Sequence, residues 1–229
     1  MTTLRVLTYN VRSLRDDAAA AARAVRSAAP DVVAIQEAPR FVRWRTRGAE
    51  FARQCGLVVL SGGRAAAGNL LLCQLGVDVE RAGVLGLSHR RGAHHRGAAA
   101  AVCSLAGRRF AVVGIHLDLQ PDDRSAHVRE LFGRLPEVGV DPSLPRIVAG
   151  DINETPGEPA WAALAEQLRD GPAAVGADAP TFTARSPGRR IDGVFVDRRL
   201  RVVRAQVLDG PEVLAGSDHR PVLTEVELT

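Results

Sequence analysis

The chain is built from short apolar runs that each stop on a polar residue, separated by turns or by single helical stretches. This alternation constrains the fold more than any other feature. Apolar runs of four to eight residues suit strands buried on both faces, and a chain that mixes turns with single helices between them suits packed sheets with helices outside. The clearest run is Arg146-Ile147-Val148-Ala149-Gly150-Asp151-Ile152-Asn153, where a buried strand runs straight into Gly-Asp-x-Asn. At a strand end, residues i and i+2 start on one side of the pleat, so Asp151 and Asn153 are predicted to face one small target. Gly150 lets the backbone come close to whatever lies there. A carboxylate beside a neutral amide donor suits a phosphoryl oxygen or a water held by a metal. A strand followed by an Asx turn explains the same four residues when they are taken alone.

The remaining elements follow from the same reading. Strands are predicted over 4–11, 31–35, 57–60, 68–75, 98–105, 109–115, 191–196, 202–208 and 221–228, and helices over 18–29, 41–54, 122–138 and 158–168. Asp16 and Asp17 precede the first helix and Pro30 stops it, while Gly56 closes the second and Pro121 starts the third. The stretch 171–180 is predicted to be loop. From Gly86 to Gly97 the chain turns polar, with Ser88, His89, Arg90, Arg91, His94, His95 and Arg96. That stretch reads as a loop with a concentrated positive field, either a solvated hairpin tip or a substrate contact.

Composition narrows the chemistry. All 229 residues are expected to form one domain, since no stretch resembles a linker. Aromatic residues make up 4%, so the core must be Val, Leu, Ile and Ala. Every basic residue is Arg, which excludes Schiff-base chemistry and phosphate loops that need Lys. Guanidinium forks suit phosphate, and the formal charge of +4 is a weak pointer to nucleic acid. Cys55, Cys73 and Cys103 are odd in number and lack a CxxC spacing, against a disulfide framework or a zinc site. With no membrane-length apolar run and no basic-then-apolar leader at Met-Thr-Thr, the expectation is a soluble, cytoplasmic monomer.

The polar residues at the strand ends are Asn10, Glu37, His116, Asp151 with Asn153, Asp192, and Asp218 with His219. Singly, each has an ordinary explanation: a turn, a solvated strand end, a satisfied core histidine, or an ion pair with a neighbouring arginine. Taken in order, Tyr9-Asn10-Val11-Arg12, Gln36-Glu37, Ile115-His116-Leu117, Gly150-Asp151-Ile152-Asn153, Arg190-Ile191-Asp192-Gly193 and Ser217-Asp218-His219-Arg220-Pro221-Val222 form a set. That set resembles the motifs of the endonuclease/exonuclease/phosphatase superfamily, from Leu4 to Leu223. The superfamily includes pancreatic-type deoxyribonucleases, apurinic endonucleases, neutral sphingomyelinases and inositol-polyphosphate phosphatases. The resemblance implies a four-layer αββα sandwich of two mixed sheets, with the site where their strand ends meet. Leu117-Asp118-Leu119 after His116, followed by Arg124, is similar to the deoxyribonuclease and sphingomyelinase branches rather than to the apurinic endonucleases.

The same resemblance implies roles. Glu37 would hold Mg²⁺ or Mn²⁺, with Asn10 and Asp218 nearby, directly or through water; hard cations take oxygen ligands and keep several waters. Asp151 would orient or deprotonate the attacking water, and Asn153 would hold a phosphate oxygen. His116 and His219 would bracket the phosphate, and Asp192 would fix the His219 tautomer. Asp151 and an Asp192-backed His219 both remain open as the base. Asn69 of Gly68-Asn69 and Arg96 of Arg96-Gly97-Ala98 would contact phosphate, against plain turn chemistry at both places. No carboxylate in the sequence is obviously placed to pair with His116. The implied activity is hydrolysis of a phosphate ester, first as a nuclease. The alternatives are a phosphomonoesterase or phospholipase-type enzyme acting on a lipid or sugar phosphate, and an idle phosphate-binding relative.

Overall fold

The computed structural model describes residues 2–90, 92 and 94–228, so Arg91 of the basic loop lies outside the described residues. In chain order the strands are β1 (Thr2–Asn10), β2 (Val32–Gln36), β3 (Val58–Gly63), β4 (Asn69–Cys73), β5 (Val77–Gly86) and β6 (Gly97–Leu105). They continue as β7 (Arg108–His116), β8 (Arg146–Asp151), β9 (Arg169–Asp170), β10 (Asp192–Val196), β11 (Arg201–Val207) and β12 (Val222–Leu228). The helices are α1 (Ala18–Ser27), α2 (Trp44–Cys55), α3 (Pro121–Arg134), α4 (Pro159–Gln167), α5 (Gly171–Ala174) and α6 (Pro211–Gly216).

The strands form two six-stranded mixed sheets, ordered β11-β12-β1-β2-β4-β3 and β5-β6-β7-β8-β10-β9. The parallel pairs are β1 with β2 and β7 with β8, each joined by a helical crossover, and the remaining pairs are antiparallel. Between the sheets lies a core of aliphatic residues and Phe110, including Leu4, Val6, Leu71, Val112, Ile147 and Val194. A second core packs α1 and α2 on the first sheet through Val25 and Phe51, and a third packs α3 and α4 on the second through Leu131 and Trp161. The result is a four-layer αββα sandwich. Each fully buried aliphatic side chain contributes roughly 1.5–3 kcal/mol, so the scarcity of aromatics is offset by number.

Local chemistry explains the departures from the predicted elements. The third helix ends at Arg134 and tightens to a 3₁₀ turn over Leu135–Val138. Pro136 has no N–H to donate to a fourth-preceding carbonyl, and Gly139 closes the turn with φ 82°. The second helix starts only at Trp44, because Arg43 sits in the left-handed region at φ 53°. Asp170 caps a short helix, α5, inside the stretch predicted to be loop. Strand β5 has no counterpart among the predicted strands. It is an edge strand, largely exposed, whose charged residues carry no one-sided alternation.

Candidate active site

Sheet register delivers the polar strand ends to one place. Across the second sheet, His116 pairs with Asp151, and Asp151 pairs with Asp192, so three site residues form a row over β7, β8 and β10. A Cβ at Gly150 would collide with the Ile115 carbonyl, so glycine is what lets β8 lie this close to β7. Across the first sheet, Asn10 pairs with Gln36, which puts Glu37 one step beyond. The two sheets meet through Asn10: its Nδ2 donates to Asp151 Oδ2 at 3.0 Å and to Glu37 Oε1 at 3.2 Å. The Arg12 N–H donates to Asn10 Oδ1 at 3.0 Å, and this fixes which way the amide faces.

Asp151 is buried, and its two oxygens have different work. Oδ1 accepts the Asn153 N–H at 2.9 Å. Oδ2 faces His116 Nε2 at 3.5 Å and His219 Nε2 at 3.8 Å, besides the Asn10 amide. The pleat argument for Asn153 does not describe the geometry. The strand stops at Asp151, and Asn153 adopts φ 56°, a conformation Asn tolerates better than most residues. Its Nδ2 then donates to the Leu117 carbonyl at 3.0 Å, which ties the loops after β7 and β8 together at the pocket wall. Glu37 is also left-handed, at φ 53°, where a glutamate gains nothing locally; strain of this kind collects at functional sites.

The two histidines sit in opposite electrostatic settings. His219 Nδ1 lies 2.9 Å from Asp192 Oδ2, and the Asp192 N–H is itself held by Thr181 Oγ1 at 3.3 Å. Ser217 Oγ donates to the Asn10 carbonyl and accepts the His219 N–H, stitching the segment before β12 onto β1. Burial opposes charge on His219, but Asp192, Asp151 and Asp218 outweigh it and raise its pKa to about 10. His116 is driven the other way, to about 3, chiefly by burial; Asp151 opposes the fall, while Arg96 and His219 add to it. At neutral pH the site therefore holds one imidazolium and one neutral imidazole. Asp151 is also the carboxylate beside His116 that the sequence left unidentified.

Asp218 is half-buried, with Arg12 Nε 3.4 Å from its Oδ2. Arg96 is nine-tenths buried on the pocket wall, 3.5 Å from Asp118, and burial lowers its pKa. Asn69 is not brought to the pocket: its Nδ2 donates to the carbonyls of Ala66 at 3.0 Å and Gly97 at 2.8 Å. The sequence reading also missed the purpose of Arg124. It is buried, bonds Glu154 Oε1 at 2.7 Å and the Leu119 carbonyl at 2.7 Å, and Glu154 accepts the N–H groups of Ala160 and Trp161 at the start of α4. The site walls are thus fixed to the helical layer by a fully partnered ion pair. Glu154, three residues past Asp151, was the available signal. In the basic loop, Arg90 pairs with Asp123 at 2.8 Å and Ser88 with Glu130, so this part of the loop is anchored to α3.

Glu37, Asp151 and Asp218 line one pocket of about 490 Å³. Three carboxylates at one mouth form an oxygen-rich donor set that suits a hard divalent cation. Asp151, Asp192 and His219 bring ligand atoms within 4.8 Å of one another, the one such group among the described residues. Within that group only His219 and Asp192 are hydrogen-bonded, at 2.9 Å, and the Asp151 oxygen lies 3.8 Å from the other ring nitrogen.

A two-sheet sandwich whose mouth is lined by carboxylates and histidines gathers groups suited to work on a phosphate ester. The sequence profile of the Endonuclease/Exonuclease/phosphatase family matches residues 7–219, and the chain belongs to that family. No curated protein sequence matches it. A Bacteroides vulgatus endonuclease/exonuclease/phosphatase structure superposes with TM-score 0.83 at 18% identity, covering 100% of both chains. A mannosyl-6-phosphatase of Bacteroides thetaiotaomicron gives 0.79 at 20% identity over 99% of each chain. D. rerio TDP2, complexed with a single-strand DNA product, gives 0.79 at 16% identity over 99% of this chain and 100% of that one. At these identities the likeness concerns the fold. Among the described residues, no helix is long and apolar enough to cross a membrane.

Proposed function

We propose that this protein is a Mg²⁺- or Mn²⁺-dependent phosphodiesterase that cleaves a P–O bond by direct, in-line attack of water, with nucleic acid as substrate. One observation carries the reading: Asp151 Oδ2 stands at the meeting point of both sheets, within 3.8 Å of the Asn10 amide, His116 and His219. A carboxylate held this way can take the proton of an attacking water. Its other oxygen is committed to the Asn153 N–H, so the group cannot rotate away without losing that bond.

The rest of the mouth supports the phosphate. Glu37, with Asp218 and Asn10 beside it, would hold the divalent cation, which when bound offsets phosphate charge as a Lewis acid. Asn10 gives its amide N–H groups to both Glu37 and Asp151, so it positions the two carboxylates relative to each other. His219, protonated on both ring nitrogens and so carrying one positive charge, faces the phosphate as a cation and is aimed by Asp192; this favours Asp151 over His219 as the base. His116 is neutral and serves as a hydrogen-bond donor rather than as a charge. Arg96 and Asn153, on the same wall, bind phosphate oxygens.

A phosphomonoesterase is the second reading, favoured by the likeness to a mannosyl-6-phosphatase along the full chain. The test is a hydrolysis panel of single-stranded DNA, RNA, a chromogenic diester, sphingomyelin and sugar phosphates, with and without Mg²⁺ or Mn²⁺. Hydrolysis of the diesters, abolished by chelator, restored by metal and lowered in metal affinity by Glu37→Gln, is the expected result. Full turnover in excess chelator, or hydrolysis of sugar phosphates alone, would overturn it.

A further inference from the structure

A second groove opens from the catalytic pocket, and its charge is opposite. It holds about 450 Å³ and shares Arg40, Ala67, His94 and Arg96 with the pocket, then continues to Arg64 and Phe41. That volume falls in the range of small-molecule sites. Among the described residues no carboxylate lines the groove, whereas Glu37, Asp151 and Asp218 line the pocket it leaves. Isolated surface arginines are ordinary, and so is a single exposed aromatic. Three arginines converging on one cavity from three separate stretches of chain, one of them with Phe41 beside it, are not explained that way.

Arg40 and Arg64 differ from the ion-paired arginines elsewhere on the surface, whereas Arg96 faces Asp118. Among the described residues, neither Arg40 nor Arg64 has a carboxylate within 4.0 Å. Arg96 is buried, and its Nε has no hydrogen-bond partner, with Asp118 at 3.5 Å. Arg40 donates to the Ala67 carbonyl at 3.2 Å, with its guanidinium carbon 5.6 Å from the Phe41 ring centroid. Phe41 is 76% exposed, an apolar face left in water beside the arginines.

The groove is also held rigid, and this gives Asn69 a purpose. Its amide joins Ala66, at the end of the turn that starts with Arg64, to Gly97, which follows Arg96. A side chain at Gly97 would meet the backbone of Ala66 at 3.1 Å and the Leu85 carbonyl at 2.7 Å, so glycine permits this close approach. The backbone segments that carry Arg64 and Arg96 are therefore held together across the two sheets.

We propose that this groove is a flanking-nucleotide subsite. It binds the phosphate next to the scissile phosphodiester on Arg40 and Arg64, beside Arg96, which the groove shares with the catalytic pocket, with the adjoining base stacked on Phe41. A base can lie on a side-chain ring only when it is unpaired, so the substrate class is single-stranded oligonucleotide. The proposal rests on the phosphodiesterase reading and assigns that site its substrate class.

The test compares kcat/KM for the dinucleotide TpT, which has one phosphate, with pTpT and TpTp, which add a second on either side. In the wild type, one of the two phosphorylated dinucleotides is expected to exceed TpT by about tenfold, as one charge-assisted hydrogen bond would give. Arg64→Ala should bring that ratio to within about threefold of one, and Phe41→Ala should lower efficiency on longer single strands. On an oligonucleotide, Arg64→Ala should also flatten the logarithmic salt dependence by about 0.7 for each phosphate it no longer neutralises. A wild-type ratio near one for both phosphorylated dinucleotides would overturn the subsite. If no dinucleotide is cleaved but a phosphomonoester is, the phosphodiesterase reading fails separately. The groove is then judged by calorimetric binding of thymidine 3′,5′-bisphosphate in chelator. About tenfold weaker binding by Arg64→Ala keeps it as a phosphate site, and equal affinity removes it.

Discussion

Replacing Asp192 with Asn tests whether His219 works as a cation. The substitution keeps shape and leaves the Asp192 backbone N–H on Thr181 Oγ1, but it removes the negative charge 2.9 Å from His219 Nδ1. A hydrogen bond to a charged group contributes about 1.5–3 kcal/mol, and one pKa unit corresponds to about 1.36 kcal/mol. The loss therefore lowers the His219 pKa from about 10 by roughly one to two units, to between about 8 and 9. Asp151 and Asp218 remain, so the fall stops short of the ordinary histidine value. Because the folded pKa is raised, the charged ring stabilises the fold fully below its unfolded pKa, roughly 6.5, and that contribution is lost as pH rises through about 10. The variant should lose its contribution at lower pH. Ring titration by NMR in metal-free protein reads the pKa directly, and the alkaline limb of kcat/KM on a chromogenic diester should move down with it. At pH 7, kcat/KM should drop by about ten- to a hundredfold, because a ring without its orienting carboxylate no longer points reliably at the phosphate. An alkaline limb that does not move, or a wild-type ring that titrates near 6.5, would refute the assignment of His219 as a cation.

Asp151→Asn removes the proton acceptor with little change of shape, and kcat should fall by at least ~10²-fold while substrate binding survives; near-normal turnover would mean the base lies elsewhere. A third expectation concerns stability. Asp197 is held at a pKa of about 2, first by its hydrogen bond from Arg199, so it stabilises the fold above about pH 4 and loses this as pH falls through about 2. Arg199 is half exposed, which reduces the worth of the pair to roughly 1 kcal/mol; Asp197→Asn should flatten the acid limb of denaturant-derived stability, and an unchanged limb would count against it.

The chemistry of this protein is legible in its sequence because the sheets carry it. An apolar run that stops on Asn10, His116 or Asp151 marks both a buried strand and the residue at its mouth, and register alone then brings His116, Asp151 and Asp192 into a row. Loop residues were legible only where a motif marked them, as at Glu37, Asp218 and His219, and their geometry was not. Asn153 reaches the pocket through a left-handed turn, which no pleat argument describes. Asn69 stands in a recognisable Gly-Asn pair, yet it braces the backbone instead of lining the pocket. A counting signal was available: the chain has three asparagines, Asn10, Asn69 and Asn153, and every one lies in or directly behind the site.

Arg40 and Arg64 were hidden for a different reason. When all 30 basic residues are arginine, no single arginine stands out by type, and position in the sequence does not tell a paired one from an unpaired one. The run from Ser88 to Arg96 looked like the basic surface because its charges are adjacent in sequence, but Arg90 is answered by Asp122 and Asp123. Arg40, Arg64 and Arg96 are dispersed in sequence and meet where the segments after β2 and β3 and before β6 line one groove. Strand termini fix the reacting groups in both sheets, while the segments that adjoin those termini set what is held beside them. If the groove is the subsite proposed, exchanging the arginines at 40 and 64 would alter what is held beside the row at 116, 151 and 192 while leaving that row's strand pairing in place.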